Sequence, residues 1–524
     1  MKTYLLSIWK KLAWIETKSA LPLPISEGVL DQNGFLALEI DNLFTVVNHA
    51  ETVIGQSVLF RSLVQPLNKR HEIESKQYAV EELRNNLELK NAIQNVVATA
   101  ANHENNLYCL LFGEFLPMFG TAKSNREIEG YGYLQYRRGV HFVTNLVAQI
   151  QNSPQPESEY LQELFGRIKA FSGSRIYDLM TNAVYLTETT LQTKQEHRKT
   201  WWLPAIVFQP RVFKPLLFFF LFAIGVAILL FLPSILMEVI LAFPLLLIYF
   251  PIVGGFDRDN FIIPLREMFK DSDELAATLD ALGQLDELLS FLKFAENFPN
   301  DTVMPSLIDS EYHRIVLHDA RNPILGKNNP DYVGNDLALD HEKILLITGP
   351  NSGGKTAFCK TISQLQLLAQ IGCFVPARSA TMSVADRIFY QASEIGRLND
   401  GEGRFGAELK RTKDIFLASS ARSLVILDEL SEGTTFEEKM ESSFNTLHGF
   451  YRKGNSTILI THNHQLVDEL VKKQLGIPKQ VEFLADKPTH KIIDGISRVS
   501  HAERVAKKIG FSKEDIELYL TNKI

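Results

Sequence analysis

Between Lys343 and Gln370 the chain reads KILLITGPNSGGKTAFCKTISQLQLLAQ, and this stretch constrains the fold more than any other. An apolar run with strand character leads into Gly349, Pro350, Asn351, Ser352, Gly353, Gly354, Lys355 and Thr356, and a helical run follows. The octet satisfies G-x-x-x-x-G-K-[ST] in the strand–loop–helix setting that gives the motif its meaning. Glycines let successive backbone N–H groups converge on phosphate oxygens, and the N-terminus of the following helix adds positive potential. The pattern predicts that Lys355 neutralises the β/γ-phosphate oxygens of a nucleotide and that Thr356 joins a Mg²⁺ shell. A chance glycine-rich turn would not also bring the strand, the lysine and the helix.

Two further apolar runs end in residues of the right chemistry. Ser423–Asp428 leads into Glu429, which places one carboxylate to hold Mg²⁺, directly or through water, and a second to polarise an attacking water. Ser456–Thr461 ends at His462, where an imidazole can sense a γ-phosphate or orient water. An acidic strand end is common by itself, but after a phosphate-binding loop the pair of strand ends reads as one site. From about residue 313 onward short β-rich runs alternate with helices, the texture of an α/β domain with a mostly parallel sheet.

Upstream the texture is helical, with long stretches such as Glu72–Ala101 almost free of glycine. Residues 265–298 repeat apolar positions at three- and four-residue spacing and predict one long amphipathic helix, ended by Pro299. Between these arms, Pro215 to Met237 carries no charge, and after Glu238 a second uncharged run reaches Phe256. Up to Leu232 the first run is 18 residues, roughly 27 Å as a helix and close to a bilayer's hydrocarbon thickness. With basic residues on both flanks it predicts a membrane hairpin with both ends on the cytoplasmic side. The N-terminal residues, with Lys10, Lys11 and Glu16 in an apolar stretch, predict an amphipathic segment.

The remaining composition excludes other classes. Three cysteines, Cys109, Cys359 and Cys373, form no C-x-x-C pair, which argues against a disulfide framework or thiolate zinc site. Lys and Arg total 54 against 61 Asp and Glu, a net charge of −7. No global basic excess points to nucleic acid.

The motifs together resemble the MutS family of mismatch-repair ATPases, a branch of the ABC-type ATPases. Asn351 within the loop is a mark of that family, and Gly372–Ala377, the segment from Asp386, Ser423–Glu429, Gly433 with Thr434, and Thr461 with His462 follow in the family's order. Gly55–Leu67 and Ile73–Leu83 resemble the opening of its helical core, Ala281–Ala295 its return lever arm, His318–Ile324 its lead-in to the ATPase, and Gly495–Gly510 its C-terminal dimerisation segment. The resemblance implies ATP and Mg²⁺ as cofactors, a homodimer with composite ATP sites, and a trans signature at Gly403, Arg404 and Phe405, where a glycine and an arginine replace the family's hydroxyl pair. It also implies a chain that starts at the helical core, without the mismatch-reading domain.

The expected architecture is therefore multidomain, with an all-α core whose long lever helices carry a transmembrane hairpin, followed by an α/β P-loop ATPase of ABC type. The expected segments are an amphipathic 1–20, a helical core and first lever arm 21–200, a transmembrane hairpin 205–256, a return lever 257–300, a connection 301–335, the ATPase 336–500 and a helical dimerisation segment 501–524. The expected function is a membrane-anchored MutS-like ATPase of the inner membrane, its ATPase domain in the cytoplasm, whose ATP cycle moves the lever arms. The expected partners are a second copy, lipid at 215–256, a membrane or cytoplasmic protein, and DNA bound weakly without mismatch preference. The alternative is a DNA-binding mismatch-repair or recombination factor tethered to the membrane.

Overall fold

The computed structural model describes residues 28–116, 120–124, 126–188, 190–199, 204–209, 223, 251–340, 342–350, 353–392, 403–430, 436–484, 487–498, 506 and 509–521. They fall into two compact units, one from Ala50–Leu59 and Glu81–Leu289, the other from Lys18–His49, Phe60–Val80 and Ser290–Ile524. The amphipathic segment expected at 1–20 lies outside the described residues.

The first unit is mainly helical. After α1 (Val53–Val64), which belongs to this unit up to Leu59, the long stretch from Glu72 divides into α2 (Arg70–Asn85), of which only the residues from Glu81 belong to this unit, and α3 (Leu87–Phe112). Asn86 makes the division, because its side chain accepts from Leu89 N at 3.0 Å and caps α3. α4 (Tyr133–Asn152) packs along α3. The helix expected over 265–298 is also two, α5 (Ile263–Lys270) and α6 (Asp273–Asn297). Ser272 Oγ accepts from Leu275 N at 3.1 Å, so a new helix starts there. Nor is α6 amphipathic: Leu279, Leu282, Leu285 and Leu288 are buried, and so are Asp280, Asp286 and Glu287.

Two expectations for this unit are corrected. It is not all-α, because β1 (Val184–Thr187), β2 (Thr190–Gln192) and β3 (Ile206–Phe208) form an antiparallel sheet in the order β2-β1-β3. The transmembrane hairpin is overturned too, and with it the inner-membrane location and the lipid partner. Among the described residues no helix is long and apolar enough to cross a membrane. The described flanks of the apolar stretch are built into the unit instead. Phe208, 1 % exposed, pairs through its backbone with Val184 and stacks on Phe261 at 5.1 Å. Residues 251–257 are helical and run through Asp257 into a π-helical turn at Arg258–Ile262 that carries Arg258 and Asp259. Residues 210–222 and 224–250 lie outside the described residues. The fold is mixed α/β.

In the second unit, β4 (Ser306–Ile308), β5 (Ile315–Ala320), β6 (Asn335–Leu339) and β8 (Ser379–Ser383) make a sheet in the order β4-β8-β5-β6. The larger sheet combines β7 (Ile344–Thr348), β9 (Ile388–Gln391), β10 (Leu424–Asp428), β11 (Ser456–Ile460), β12 (Ile477–Leu484) and β13 (Lys487–Asp494) in the order β9-β10-β11-β7-β12-β13. Every pairing is parallel except β12 with β13. All residues of β7, β9 and β11 are buried, as expected of strands covered on both faces. One face packs Leu346, Val425, Leu427 and Leu459 against Ile415, Leu447, Phe450 and Leu470. These last four come from α8 (Gly403–Ala418), α9 (Phe436–Lys453) and α10 (His464–Lys472), while α7 (Lys355–Gln370) follows β7 and α11 (Lys513–Thr521) lies near the C-terminus.

Two buried carboxylates hold the start of α1. Asp286 accepts from Glu51 N (3.1 Å), Thr52 N (2.8 Å) and Thr52 Oγ1 (2.7 Å), and Glu104 accepts from Val53 N (3.0 Å) and Tyr108 Oη (2.7 Å). Burial raises Asp286 to about 6 and Glu104 to about 7, despite those donors. Both groups hold protons more strongly folded than unfolded. Between the ordinary carboxylate range and neutrality the folded chain therefore binds more protons, and its stability falls as pH rises. The urea midpoint should decline from about pH 5 to about pH 7.5, and a midpoint that rises over this window would contradict the assignment. Asp286→Ala should remove about 2–4 kcal/mol of stability in the same titration.

Candidate nucleotide site

Parallel pairing brings the carboxyl ends of β9, β10, β11 and β7 to one edge of the large sheet. Asp428 is in register with Ile460, and Ile460 with Ile347. The segments leaving those strands therefore begin side by side, where open α/β sheets hold their ligands.

The loop leaves β7 at Gly349, with φ 133°, and enters α7 at Gly354, with φ 90°, both in the region that favours glycine. Gly353 is constrained by space as well. A Cβ built there would stand 2.8 Å from Val481 Cγ2, on the neighbouring strand β12. Asn351 and Ser352 lie outside the described residues. Lys355, 3 % exposed, is the first residue of α7 and donates from Nζ to the carbonyls of Gly349 (2.6 Å) and Pro350 (3.0 Å). Burial pushes this ammonium below the ordinary lysine range, and the charges of Glu429 and Asp428 pull it back.

Thr356 Oγ1 donates to Asp428 Oδ2 at 3.3 Å, and Tyr390 Oη of β9 reaches the same oxygen at 3.4 Å. Burial, then the neighbouring charge of Glu429, raises Asp428 above the usual carboxylate range. Glu429 leaves β10 with φ 61°, a rare conformation for a side chain-bearing residue, and its N–H donates to Ile460 O at 2.9 Å. The turn sends Glu429 to His462, with Oε1 3.0 Å from Nε2. Thr461 N donates to Ile347 O, and Asn463 caps α10, so the histidine sits on a fixed turn.

A hydroxyl and a carboxylate meeting at a phosphate loop are hard oxygen donors. Magnesium takes such donors one or two at a time and completes its shell with phosphate and water. The chemistry of Thr356 and Asp428 fits Mg²⁺, and a second carboxylate beside them favours a cation further. No cluster of three or more protein ligands that could hold a metal alone occurs among the described residues.

Gly403, Arg404 and Phe405 form the first turn of α8, and Phe405 is half-buried. Gly433 and Thr434 lie outside the described residues. Sequence reasoning missed Tyr390, Val481 and His490. His490 lies on β13 with φ 62°, and a Cβ on Gly354 would stand 3.4 Å from its Nδ1. Asn335 fixes that strand by donating to His490 O (3.0 Å) and accepting from Ile492 N (2.7 Å). No local pattern marks these three residues, because only the placement of β9, β12 and β13 in the sheet brings them to the loop.

A glycine-rich loop joining a central parallel strand to a buried lysine at a helix start, with acidic strand ends alongside, is the arrangement of the P-loop class of α/β folds. Family comparison narrows the class. The model of MutS domain III matches residues 22–291, more than half of the chain, and that of MutS domain V matches residues 345–518. The chain belongs to the MutS family.

Similar proteins include the DNA mismatch repair protein MutS of Parabacteroides distasonis, 34% identical over 248 residues, which cover 45% of this chain and 28% of that protein. The protein of the same name from Alkaliphilus oremlandii is 30% identical over 264 residues, 48% of this chain and 29% of the relative. The one from Thermotoga maritima is 29% identical over 254 residues, 47% and 32% respectively. The matched part thus spans about a third or less of each relative's length.

The close approach of Gly353 to Val481 gives a direct test. Gly353→Ala should weaken ATP binding at least about tenfold, because the loop must move away from β12. Adding Val481→Ala should recover much of the loss in a binding titration. Equal weakening in the single and double variants would show that Val481 does not set the loop's position.

Proposed function

We infer that this chain is a MutS-type ATPase that binds and hydrolyses ATP at the carboxyl edge of its larger sheet. The observation that carries the reading is the meeting of Lys355, Thr356, Asp428, Glu429 and His462 on adjoining strand ends and the loop between them. Lys355 leaves the carbonyls of Gly349 and Pro350 and donates to the β/γ-phosphate oxygens, which receive further N–H groups from the loop through Thr356. Thr356 and Asp428 would hold Mg²⁺, which when bound would neutralise phosphate charge. Glu429 accepts the proton of the attacking water as its oxygen bonds to the γ-phosphorus. The bond from that phosphorus to the β–γ bridging oxygen breaks, and ADP leaves with the electron pair on its terminal oxygen. His462, its Nε2 3.0 Å from Glu429 Oε1, holds Glu429 in position and takes the role of γ-phosphate sensor.

The chain acts as a homodimer in this reading, with the first turn of α8, Gly403 to Phe405, completing the partner's site. DNA is a weak partner without mismatch preference, in keeping with the net charge of −7.

Glu429→Gln should keep ATP binding while turnover falls about a hundredfold or more, the scale of a positioned base. Lys355→Ala should lose nucleotide binding itself. Phosphate release and nucleotide titration measured together separate the two effects. Full turnover in both variants would refute the site.

A further inference from the structure

The first unit carries a second concavity, within that unit and built from other elements than the nucleotide site. It is a groove of about 580 Å³ between α3 and α4. Its lining repeats at helical spacing on both walls, with Val96, Thr99, Ala100 and His103 on one helix and Leu134, Arg138, His141 and Asn145 among those on the other. The geometry points to a binding site for a small organic anion, an apolar body bearing a phosphoryl group, held by Arg137 and Arg138 with His103 and His141 beside them.

Three observations carry this. The volume lies in the range of small-molecule sites, and Leu134, Phe142 and Leu146 supply apolar wall for a carbon skeleton. The charge is one-sided, since two arginines and two histidines line the groove and no carboxylate does. Neither arginine forms an ion pair among the described residues, although surface arginines on this chain, such as Arg167 and Arg175, do. Two guanidinium groups without a carboxylate partner in the groove favour an anion there. Guanidinium groups also match phosphate oxygens with paired donors. The apolar wall argues against bare inorganic phosphate as the occupant, and its size suits one small organic anion.

The probe is 1-naphthyl phosphate, titrated against the full-length protein by its fluorescence. Saturable binding should appear, and Arg137→Gln with Arg138→Gln should weaken it at least about tenfold, the loss expected for charge-assisted contacts. Both side chains are exposed, so the double variant should fold normally, which its urea midpoint checks. Lys355→Ala should leave the affinity unchanged and so separates this groove from the nucleotide site. Inorganic phosphate and 1-naphthol should each bind at least about tenfold more weakly, since each lacks one half of the ligand. Leu134→Ser should weaken the naphthyl compound and leave inorganic phosphate unaffected. The proposal is overturned if wild-type protein shows no saturable binding, if the arginine variant binds equally well, or if binding is lost with Lys355. It is overturned too if a short DNA duplex displaces the probe and binds more tightly with the same arginine dependence, since the groove would then be a nucleic-acid contact.

Discussion

The second unit is organised around one buried positive charge. Lys355 sits at the start of α7 with its ammonium on two carbonyls of its own loop, and Asp428 and Glu429 stand near enough for their charges to act on it. An ammonium so far out of water is tolerable only with such partners. The carbonyls of Gly349 and Pro350 occupy the donors that, in the proposed function, phosphate oxygens would take over when a nucleotide binds. The lysine is therefore paired within its own loop, and the charges of the two carboxylates oppose the downward push of its burial.

Sheet order is what makes this arrangement possible. Because β7 lies between β11 and β12, the phosphate loop has the turn to His462 on one side and Val481 on the other. Because β10 adjoins β11, the Glu429 carboxylate reaches the His462 imidazole. The left-handed backbone at Glu429 is the local cost of that geometry, of the kind that persists when the surrounding structure fixes it. In the first unit the same theme recurs with opposite charge. Asp286 and Glu104 enter an apolar interior because backbone N–H groups at the start of α1 need acceptors there.

What the sequence made legible follows from range. The strand–loop–helix around Gly349–Thr356 and the strands ending at Asp428 and Ile460 are local patterns, and the structure has strands and helix there. Tyr390, Val481 and His490 were invisible because their nearness to the loop depends on non-local pairing. The hairpin expectation rested on the hydropathy of the run beginning at Pro215. Hydropathy describes a segment's transfer from water without naming what receives it, and the described flanks, Phe208 and Phe261, bury themselves in protein. The break between α5 and α6 escaped because Ser272 ends one apolar repeat and caps the next, and periodicity alone reads across such a junction. The all-α expectation failed at β1, β2 and β3, which are too short to stand out from helical surroundings.

The most direct test of the account is an experimental structure of the full-length protein with Mg²⁺ and a non-hydrolysable ATP analogue. The account predicts that Lys355 Nζ moves from the carbonyls of Gly349 and Pro350 to phosphate oxygens. It also predicts Thr356 and Asp428 at the metal, and Glu429 within reach of the γ-phosphate. A structure in which Lys355 keeps its carbonyl partners while the nucleotide binds elsewhere would contradict it.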